Sequence, residues 1–328
     1  MPSRTQLIRL DQGALPLSAV HQVTHIDFIS RRKIWYAISM AMLIPGIIFF
    51  MMGGLKLGLD FTGGALFELA FEKPPTVSAV RETLQTSLPE KFSDAQVAAL
   101  QDDSGQAIIS VKSKPIDNLE QVKVFDALKK NHGTFQQVRV EVVGPSVGGE
   151  LTQKAILSTI VVMGMIVLYI SIRFSFDYAA TGIIALAHDV MIVVGIFAML
   201  GHFFGIEVDS LFVTAILTVA GFSIHDTIVT FDRVRENAGD MGRGKIFAEV
   251  ANDSINQTLA RSINTSLTVM FPLFTLTFFG GVTIKYFAMA MLIGIICGVY
   301  SSIFVASPLL VDWRAITKPS TRGRRAEA

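Results

Sequence analysis

Residues Leu211–Phe231 read LFVTAILTVAGFSIHDTIVTF, and this stretch decides the class of fold. The run is long enough and apolar enough to cross a bilayer as a helix, yet it contains His225 and Asp226. An ionisable carboxyl group inside hydrocarbon is costly, so it indicates a functional site by default. We therefore predict a transmembrane helix in which Asp226 is the residue to explain.

On that helix Asp226 belongs to a partly polar face. Residues at three- and four-residue spacing share this face: Ser223, Thr230 and Arg233. The opposite side is apolar and suits lipid or a neighbouring helix: Leu217, Ile224 and Ile228.

The composition of the whole chain agrees with a membrane protein. The 328 residues are 51% hydrophobic and 17% charged, and their mean hydropathy is +0.51, which is too apolar for an ordinary soluble protein. Five further windows are long enough to span a bilayer: Ile34–Met52, Ala155–Ile172, Tyr178–Leu200, Ser262–Phe279 and Phe287–Leu310. The fold class predicted is an α-helical polytopic membrane protein with six transmembrane helices.

The placement of Lys and Arg predicts the orientation. Arg31, Arg32 and Lys33 precede the first span, further basic residues lie between the fourth and fifth spans, and the tail is basic. By the positive-inside rule both termini are cytoplasmic. The predicted organisation is a leader at 1–30, a first span at 31–55, an extracytoplasmic domain at 56–150, spans two to six at 151–312 and a cytoplasmic tail at 313–328. The single cysteine excludes an intrachain disulfide.

Residues 65–145 form the one sizeable extramembrane segment and show alternating strand and helix patterns. The predicted elements are strands at Ala65–Phe71, Ala95–Gln101, Ala107–Lys112 and Gln136–Val143, with helices at Val77–Leu88 and Leu119–Asn131. The order βαββαβ is that of a ferredoxin-like α+β domain. Its scattered charges favour a solvated domain that contacts a partner.

Glycine-rich turns flank this domain at Gly58–Gly64 and Val143–Leu151. They are the predicted hinges if the domain moves, and the residues assigned to coupling are Asp60, Gly63, Gly64, Gly144, Pro145 and Gly148. For Asp60, both a capping role in the turn and a direct chemical role remain open.

Two further sites within the membrane accompany Asp226. His188 and Asp189 lie near the middle of the third span, where interhelical hydrogen bonding and direct proton transfer are both open. Arg261 opens the fifth predicted span, and there it either modulates Asp226 as a permanent cation or anchors the helix end at the headgroups. Alternation of Asp226 between an apolar environment and a nearby cation would make it take up and release a proton.

Several motifs together carry a family resemblance: Gly58–Gly64, Val143–Leu151, Ala187-His188-Asp189, Gly221–Asn237, Ser254–Thr258 with Arg261, and the ending from Tyr300 to Pro308. In this order they resemble the SecD/SecF family of protein-export membrane proteins, and within it the smaller of the two paired members. The resemblance covers about residues 25–312. His225 departs from it, since the family usually has Asn there.

The resemblance implies a relative of the resistance-nodulation-division transporters that pairs with SecD in a bacterial plasma (inner) membrane. The pair would use the proton gradient to assist polypeptides that emerge from the SecYEG channel, with YajC and YidC as further partners and no nucleic acid. Asp226 and Arg261 match proton-pathway positions of the family, and His225, Asp189 and His188 are the other candidates. Protons are the coupling ion, and neither an enzymatic activity nor a cofactor is implied.

Two rival functions are retained. An intramembrane aspartyl protease needs two carboxyl groups in adjacent spans, which Asp189 and Asp226 could supply. An assembly scaffold would need no titrating Asp226 at all. The sequence has no nucleotide-binding loop and no Cys/His cluster, so it predicts neither a nucleotide nor a metal site.

Overall fold

The computed structural model describes residues 26–101, 105–240 and 246–317. In chain order its elements are α1 (Arg32–Gly53), α2 (Leu59–Thr62), β1 (Gly64–Phe71), α3 (Val77–Ser87), α4 (Pro89–Phe92), β2 (Gln96–Gln101), β3 (Ala107–Ser113), α5 (Asn118–His132), β4 (Phe135–Val143), α6 (Pro145–Arg173), α7 (Phe176–Phe204), α8 (Ser210–Gly239), α9 (Phe247–Phe279), α10 (Val282–Ser301), a π-helical turn (Ser302–Ala306) and α11 (Ser307–Thr317). The predicted leader up to residue 25 and the tail from residue 318 lie outside the described residues.

Six helical segments within these ranges are long and apolar enough to span a membrane: α1, α6, α7, α8, α9 and the run Thr283–Thr317. The prediction of six transmembrane helices is confirmed. Several helices extend well beyond the apolar windows that predicted them. The largest difference is at α9, which begins at Phe247 rather than at Ser262, so Arg261 lies inside the helix and not at its start.

Local signals explain where the spanning helices begin and end. Pro145 occupies the first turn of α6, where its missing N–H costs nothing. The α7 helix stops at Gly205, which adopts a left-handed conformation (φ 69°). The Asp209 side chain accepts a hydrogen bond from the Phe212 N–H (3.0 Å) and thereby caps the start of α8.

Three of the spans form the interior of the membrane part. Between 44% and 61% of the apolar window is buried in α7, α8 and the last span, against 6% to 17% in α1, α6 and α9. The α8 and α10 helices are in especially close contact, because Gly294 and Gly298 of α10 lie against Val219 and Ser223 of α8. The outer helices leave wide apolar faces for lipid or for another protein.

The α1 helix reaches α7 through two glycines. A Cβ atom built on Gly195 would lie 2.5 Å from the Gly46 Cα, and one built on Gly46 would lie 2.9 Å from the Gly195 Cα. The two backbones are therefore in direct contact, an approach that no larger residue permits.

The segment between α1 and α6 is an α+β domain with a four-stranded antiparallel sheet. The strand order is β2-β3-β1-β4, which together with the βαββαβ order of elements is the ferredoxin-like topology predicted from the sequence. Alternate β1 residues Phe67 and Leu69 are buried against apolar residues of α3 and α5: Val80, Leu84, Val124 and Leu128. The predicted strands and helices agree with the observed ones to within two residues.

Candidate functional site

Asp226 lies near the middle of α8, and one oxygen of its carboxyl group has no hydrogen-bond partner among the described residues. Among the described residues, Asp226 Oδ2 is buried without a hydrogen-bond partner. The Ser262 hydroxyl of α9 faces this carboxyl, and Ser262 Oγ is likewise buried without a hydrogen bond of normal geometry among the described residues. The Thr230 hydroxyl, one turn further along the same face of α8, is also buried and has no hydrogen-bond partner within the described ranges. Buried polar groups normally have partners, so three unpaired groups are unusual.

A small cavity adjoins Asp226. Its volume is about 20 Å³, which is room for about one water molecule. Three helices line it: α8 through Phe222, Ser223, His225 and Asp226, α9 through Thr265 and Ser266, and α10 through Ile295, Gly298 and Val299. The cavity places a water-sized space, lined by both polar and apolar side chains, beside the carboxyl in the middle of the membrane part.

Asp189 of α7 is bound in the opposite way, by a complete set of partners. It is fully buried; its Oδ2 accepts hydrogen bonds from Ser223 Oγ (2.5 Å) and Ser301 Oγ (2.6 Å), and His188 Nδ1 lies 2.9 Å from its Oδ1. Asp189 thus joins α7 to α8 and to the end of α10. Ser223 also lines the cavity beside Asp226. The Ser223 side chain therefore contacts both Asp189 and the space next to Asp226.

The last span departs from α-helical geometry at this cluster. Ser302–Ala306 form a π-helical turn directly after Ser301, Ser302 Oγ lies 2.8 Å from Thr227 Oγ1 of α8, and Ser307 Oγ donates to the Ser302 carbonyl (2.9 Å). Such turns are rare and occur often at functional sites. Four members of the site were not predicted from the sequence: Ser301, Ser302, Thr227 and Ser262. Their signal is the occurrence of small hydroxyl residues within otherwise apolar spans.

The other predicted membrane residues are less closely connected. Arg261 is exposed, and within the described part of the chain it forms no ion pair with Asp226. It precedes Ser262 directly, and because neighbouring residues on a helix are about 100° apart, Arg261 and Ser262 point to different sides of α9. His225 is exposed and lines the Asp226 cavity. His188 Nε2 is buried and has no hydrogen-bond partner among the described residues.

The coupling residues predicted in the two glycine-rich turns meet at one junction. Asp60 Oδ2 accepts hydrogen bonds from the Ser210 backbone N–H (2.9 Å) and hydroxyl (2.5 Å) and so holds the start of α8. Gly63 (φ 68°) and Gly148 pack closely, since a Cβ on Gly148 would lie 3.1 Å from the Gly63 nitrogen. Gly64 also has a positive φ (144°), whereas Gly144 is extended in front of Pro145. The predicted movement at these hinges stays a prediction.

Charged side chains crowd the space between the domain and the membrane part. A cavity of about 270 Å³ lies there, lined by Asp60, Arg139, Glu141, Glu207 and Asp209 among others. Burial raises the pKa of Asp209, and it also raises the pKa of Glu68 on β1. Within the described ranges, no group of three or more His, Cys, Asp or Glu residues is placed to hold a metal ion.

Comparison with known proteins connects this geometry to a family. The family model "Protein export membrane protein SecD/SecF, C-terminal" matches residues 123–316, which is more than half of the chain, and the model "SecD/SecF GG Motif" matches residues 48–75. The chain belongs to the SecD/SecF family. The second match contains Gly63 and Gly64, and the resemblance inferred from the sequence motifs is confirmed.

Relatives from several bacteria support the assignment. The protein translocase subunit SecF of Thermobaculum terrenum is 44% identical over 88% of this chain and 94% of its own length, and that of Sebaldella termitidis is 35% identical over 90% and 94%. The chain also resembles the crystal structure of SecDF, a translocon-associated membrane protein from Thermus thermophilus, with a TM-score of 0.76 and 32% identity. That match covers 90% of this chain but 39% of the SecDF chain. This SecD/SecF family member is therefore a multi-pass membrane protein of the SecF type, and it corresponds to one part of the longer SecDF chain.

Proposed function

We propose that this chain is the SecF-type subunit of a SecD/SecF unit, which uses the proton motive force to assist protein translocation and release across the membrane. The observation that carries the proposal is Asp226 in the middle of a spanning helix: its Oδ2 atom is buried without a hydrogen-bond partner among the described residues, and a water-sized cavity adjoins it. A group that must gain and lose a proton needs access and freedom from fixed partners. Asp226 has both, whereas Asp189 has neither.

We propose roles for the remaining membrane residues from their positions around Asp226 and Asp189. Asp226 carries the proton, and Ser223 links it to the Asp189 cluster that holds α7, α8 and the last span together. Arg261, a permanent cation, and His225 are the side chains that approach or leave the carboxyl as helices shift, and His188 orients Asp189. A proton that crosses 100 mV supplies about 2.3 kcal/mol, which is enough to bias a conformational equilibrium about fiftyfold.

Exposed residues of α8 beside the Asp226 cavity support a second membrane subunit as a partner. The α8 residues His225 and Phe222, which border the Asp226 cavity, are exposed in this chain. A second subunit packed there would enclose the carboxyl. The relatives named SecF and the longer SecDF chain favour SecD as that subunit, in a bacterial inner membrane with both termini cytoplasmic and the α+β domain outside. SecYEG, YajC, YidC and the exported polypeptides remain the further proposed partners.

The geometry favours this function over an aspartyl protease. A protease dyad needs two carboxyl groups that share a proton. Among the described residues no hydrogen bond joins Asp189 to Asp226, and the Asp189 oxygens are directed to His188, Ser223 and Ser301 instead. A scaffold that needs no titrating Asp226 is likewise not favoured, because no hydrogen bond among the described residues fixes Asp226 Oδ2 in one state.

The test is export into membrane vesicles with and without an imposed proton gradient, with the chain and SecD supplied together. We expect Asp226→Asn to reduce the gradient-dependent part of export about tenfold or more, since an amide cannot carry the proton; a tenfold loss corresponds to about 1.4 kcal/mol. The matched control is Asp232→Asn on the same helix, where the carboxylate forms an exposed ion pair with Arg173 (2.9 Å). Asp226→Asn vesicles that contain normal amounts of the complex and respond normally to the gradient would contradict the proposal.

A further inference from the structure

The loop between α7 and α8 is bonded to the α+β domain through one acidic residue. Lys112 Nζ, at the end of β3, lies 2.7 Å and 2.8 Å from the two Glu207 carboxylate oxygens. Both side chains are 28% exposed, so the pair is largely shielded from water. Lys112 is held in the sheet by pairing with Leu66 of β1 and Gln96 of β2, and it therefore reports the position of the domain as a whole.

The same loop is also bonded to the segment that follows α1. The Val208 N–H donates to the Lys56 carbonyl (2.8 Å), and the Gly58 N–H donates to the Val208 carbonyl (2.8 Å). These bonds form a short parallel bridge between Leu57 and Val208. Lys56 Nζ also approaches Glu207, at 3.8 Å from its Oε1. Glu207 is consequently enclosed by two lysines from two different parts of the chain.

The loop is followed directly by α8, the helix that carries Asp226. Asp209 caps α8, and Ser210 is bonded to Asp60 through its N–H and its hydroxyl. An α-helix rises 1.5 Å per residue, so Asp226 lies about 24 Å along α8 from Ser210. A helix of this length moves as a rigid body, and a tilt or shift at Asp226 therefore reaches Glu207.

We propose that Glu207 is a positioning residue that couples α8 to the α+β domain, so that protonation at Asp226 changes the position of the domain above the membrane. This inference rests on the function proposed above and adds the route by which the proton's effect leaves the membrane. The two covalent connections to the domain are the glycine-rich turns, in which Gly63 and Gly64 have positive φ values and Gly144 is extended in front of α6. The Lys112–Glu207 ion pair connects the domain to α8, so that the domain moves when α8 moves.

The experiment measures the position of the domain directly in the SecD-containing complex. Spin labels are attached at Leu119→Cys on α5 and Phe204→Cys at the end of α7, both exposed, in a background in which the buried Cys297 is replaced by Ala. Asp226→Asn mimics the protonated acid. We expect it to shift the label–label distance when Glu207 is present, and we expect that shift to be lost in Glu207→Gln.

Two variants keep the test specific. The charge exchange Lys112→Glu with Glu207→Lys restores the ion pair and is expected to restore the shift. Glu150→Gln is the matched control, because that glutamate pairs with Lys154 within α6 (2.7 Å) and should leave the shift intact. In parallel, Glu207→Gln is expected to lower gradient-dependent export several-fold without affecting gradient-independent export.

The outcomes separate this inference from the proposed function. An equal distance shift in Glu207→Gln, or no shift even with Glu207 present, would overturn the coupling through Glu207. Neither result bears on whether Asp226 is needed for export, which the vesicle assay decides independently. Normal Asp226→Asn export together with a Glu207-dependent shift would overturn the proton function and leave the mechanical connection in place.

Discussion

Replacement of Gly195 by valine is expected to prevent most of the chain from accumulating in the membrane. The first atom of the new side chain would lie 2.5 Å from Gly46 Cα and 3.0 Å from the Gly46 carbonyl carbon. Both are backbone atoms, so α1 and α7 can only move apart. Overpacking of this kind costs about 1–3 kcal/mol in ordinary cores and more where the backbone cannot adjust. The measurement is the amount of full-length chain in membranes and its melting temperature in detergent.

The control for this prediction is a glycine in a spanning helix with open space around it. Nothing lies within 4 Å of a Cβ built on Gly164 in α6, so Gly164→Val should accumulate and melt as the wild type does. Gly195→Ala is expected to lie between the two valine variants. If Gly195→Val behaved like Gly164→Val, the close approach of α1 to α7 would be wrong.

The second large effect is expected at Asp189. Asp189→Ala removes the acceptor of the Ser223 and Ser301 hydroxyls and the partner of His188, all within the membrane interior. Loss of one member of a buried polar network costs about 3–5 kcal/mol, because the remaining members stay desolvated. We expect a large fall in the melting temperature of the purified chain. Asp189→Asn keeps one acceptor oxygen and should cost less.

Asp226→Ala is the informative comparison for Asp189→Ala. It deletes the same side chain from the neighbouring helix, but Asp226 Oδ2 makes no hydrogen bond among the described residues. We expect it to leave the melting temperature near the wild-type value while it abolishes gradient-dependent export. Equal melting temperatures for the two alanine variants would show that the Asp189 cluster does not hold the helices together.

The sequence predicts those parts of the fold that produce a periodic pattern of apolar residues. Six apolar windows give the six spans, and strand and helix periods give the ferredoxin-like order, because both depend on local residue spacing. The ends of the spans are less accessible. Hydropathy stops at the edge of the bilayer whereas backbone hydrogen bonding continues, and for this reason α9 begins at Phe247 well before its apolar window.

The sequence predicts the two acidic residues of the candidate site, but it does not predict the side chains that surround them. Asp189 and Asp226 are conspicuous by residue type, yet their different environments depend on how α7, α8 and α10 are rotated against one another. That rotation is set by packing between helices far apart in sequence, and no local pattern reports it. The same limit applies to Arg261. The sequence predicts that it lies near Asp226, whereas in the structure it is exposed.

The π-helical turn in the last span has an implication for insertions and deletions. A π turn holds one extra residue, which rotates the following helix by about 100° relative to an uninterrupted α-helix. Before the turn Ser301 faces Asp189, and after it Arg314 Nε donates to Asp177 Oδ2 at 2.6 Å. Loss of a single residue from Ile303–Val305 would give a regular helix but turn Arg314 away from Asp177. In a relative that is one residue shorter at this point, the basic residue that pairs with the equivalent of Asp177 should therefore occupy a different position of the final helix.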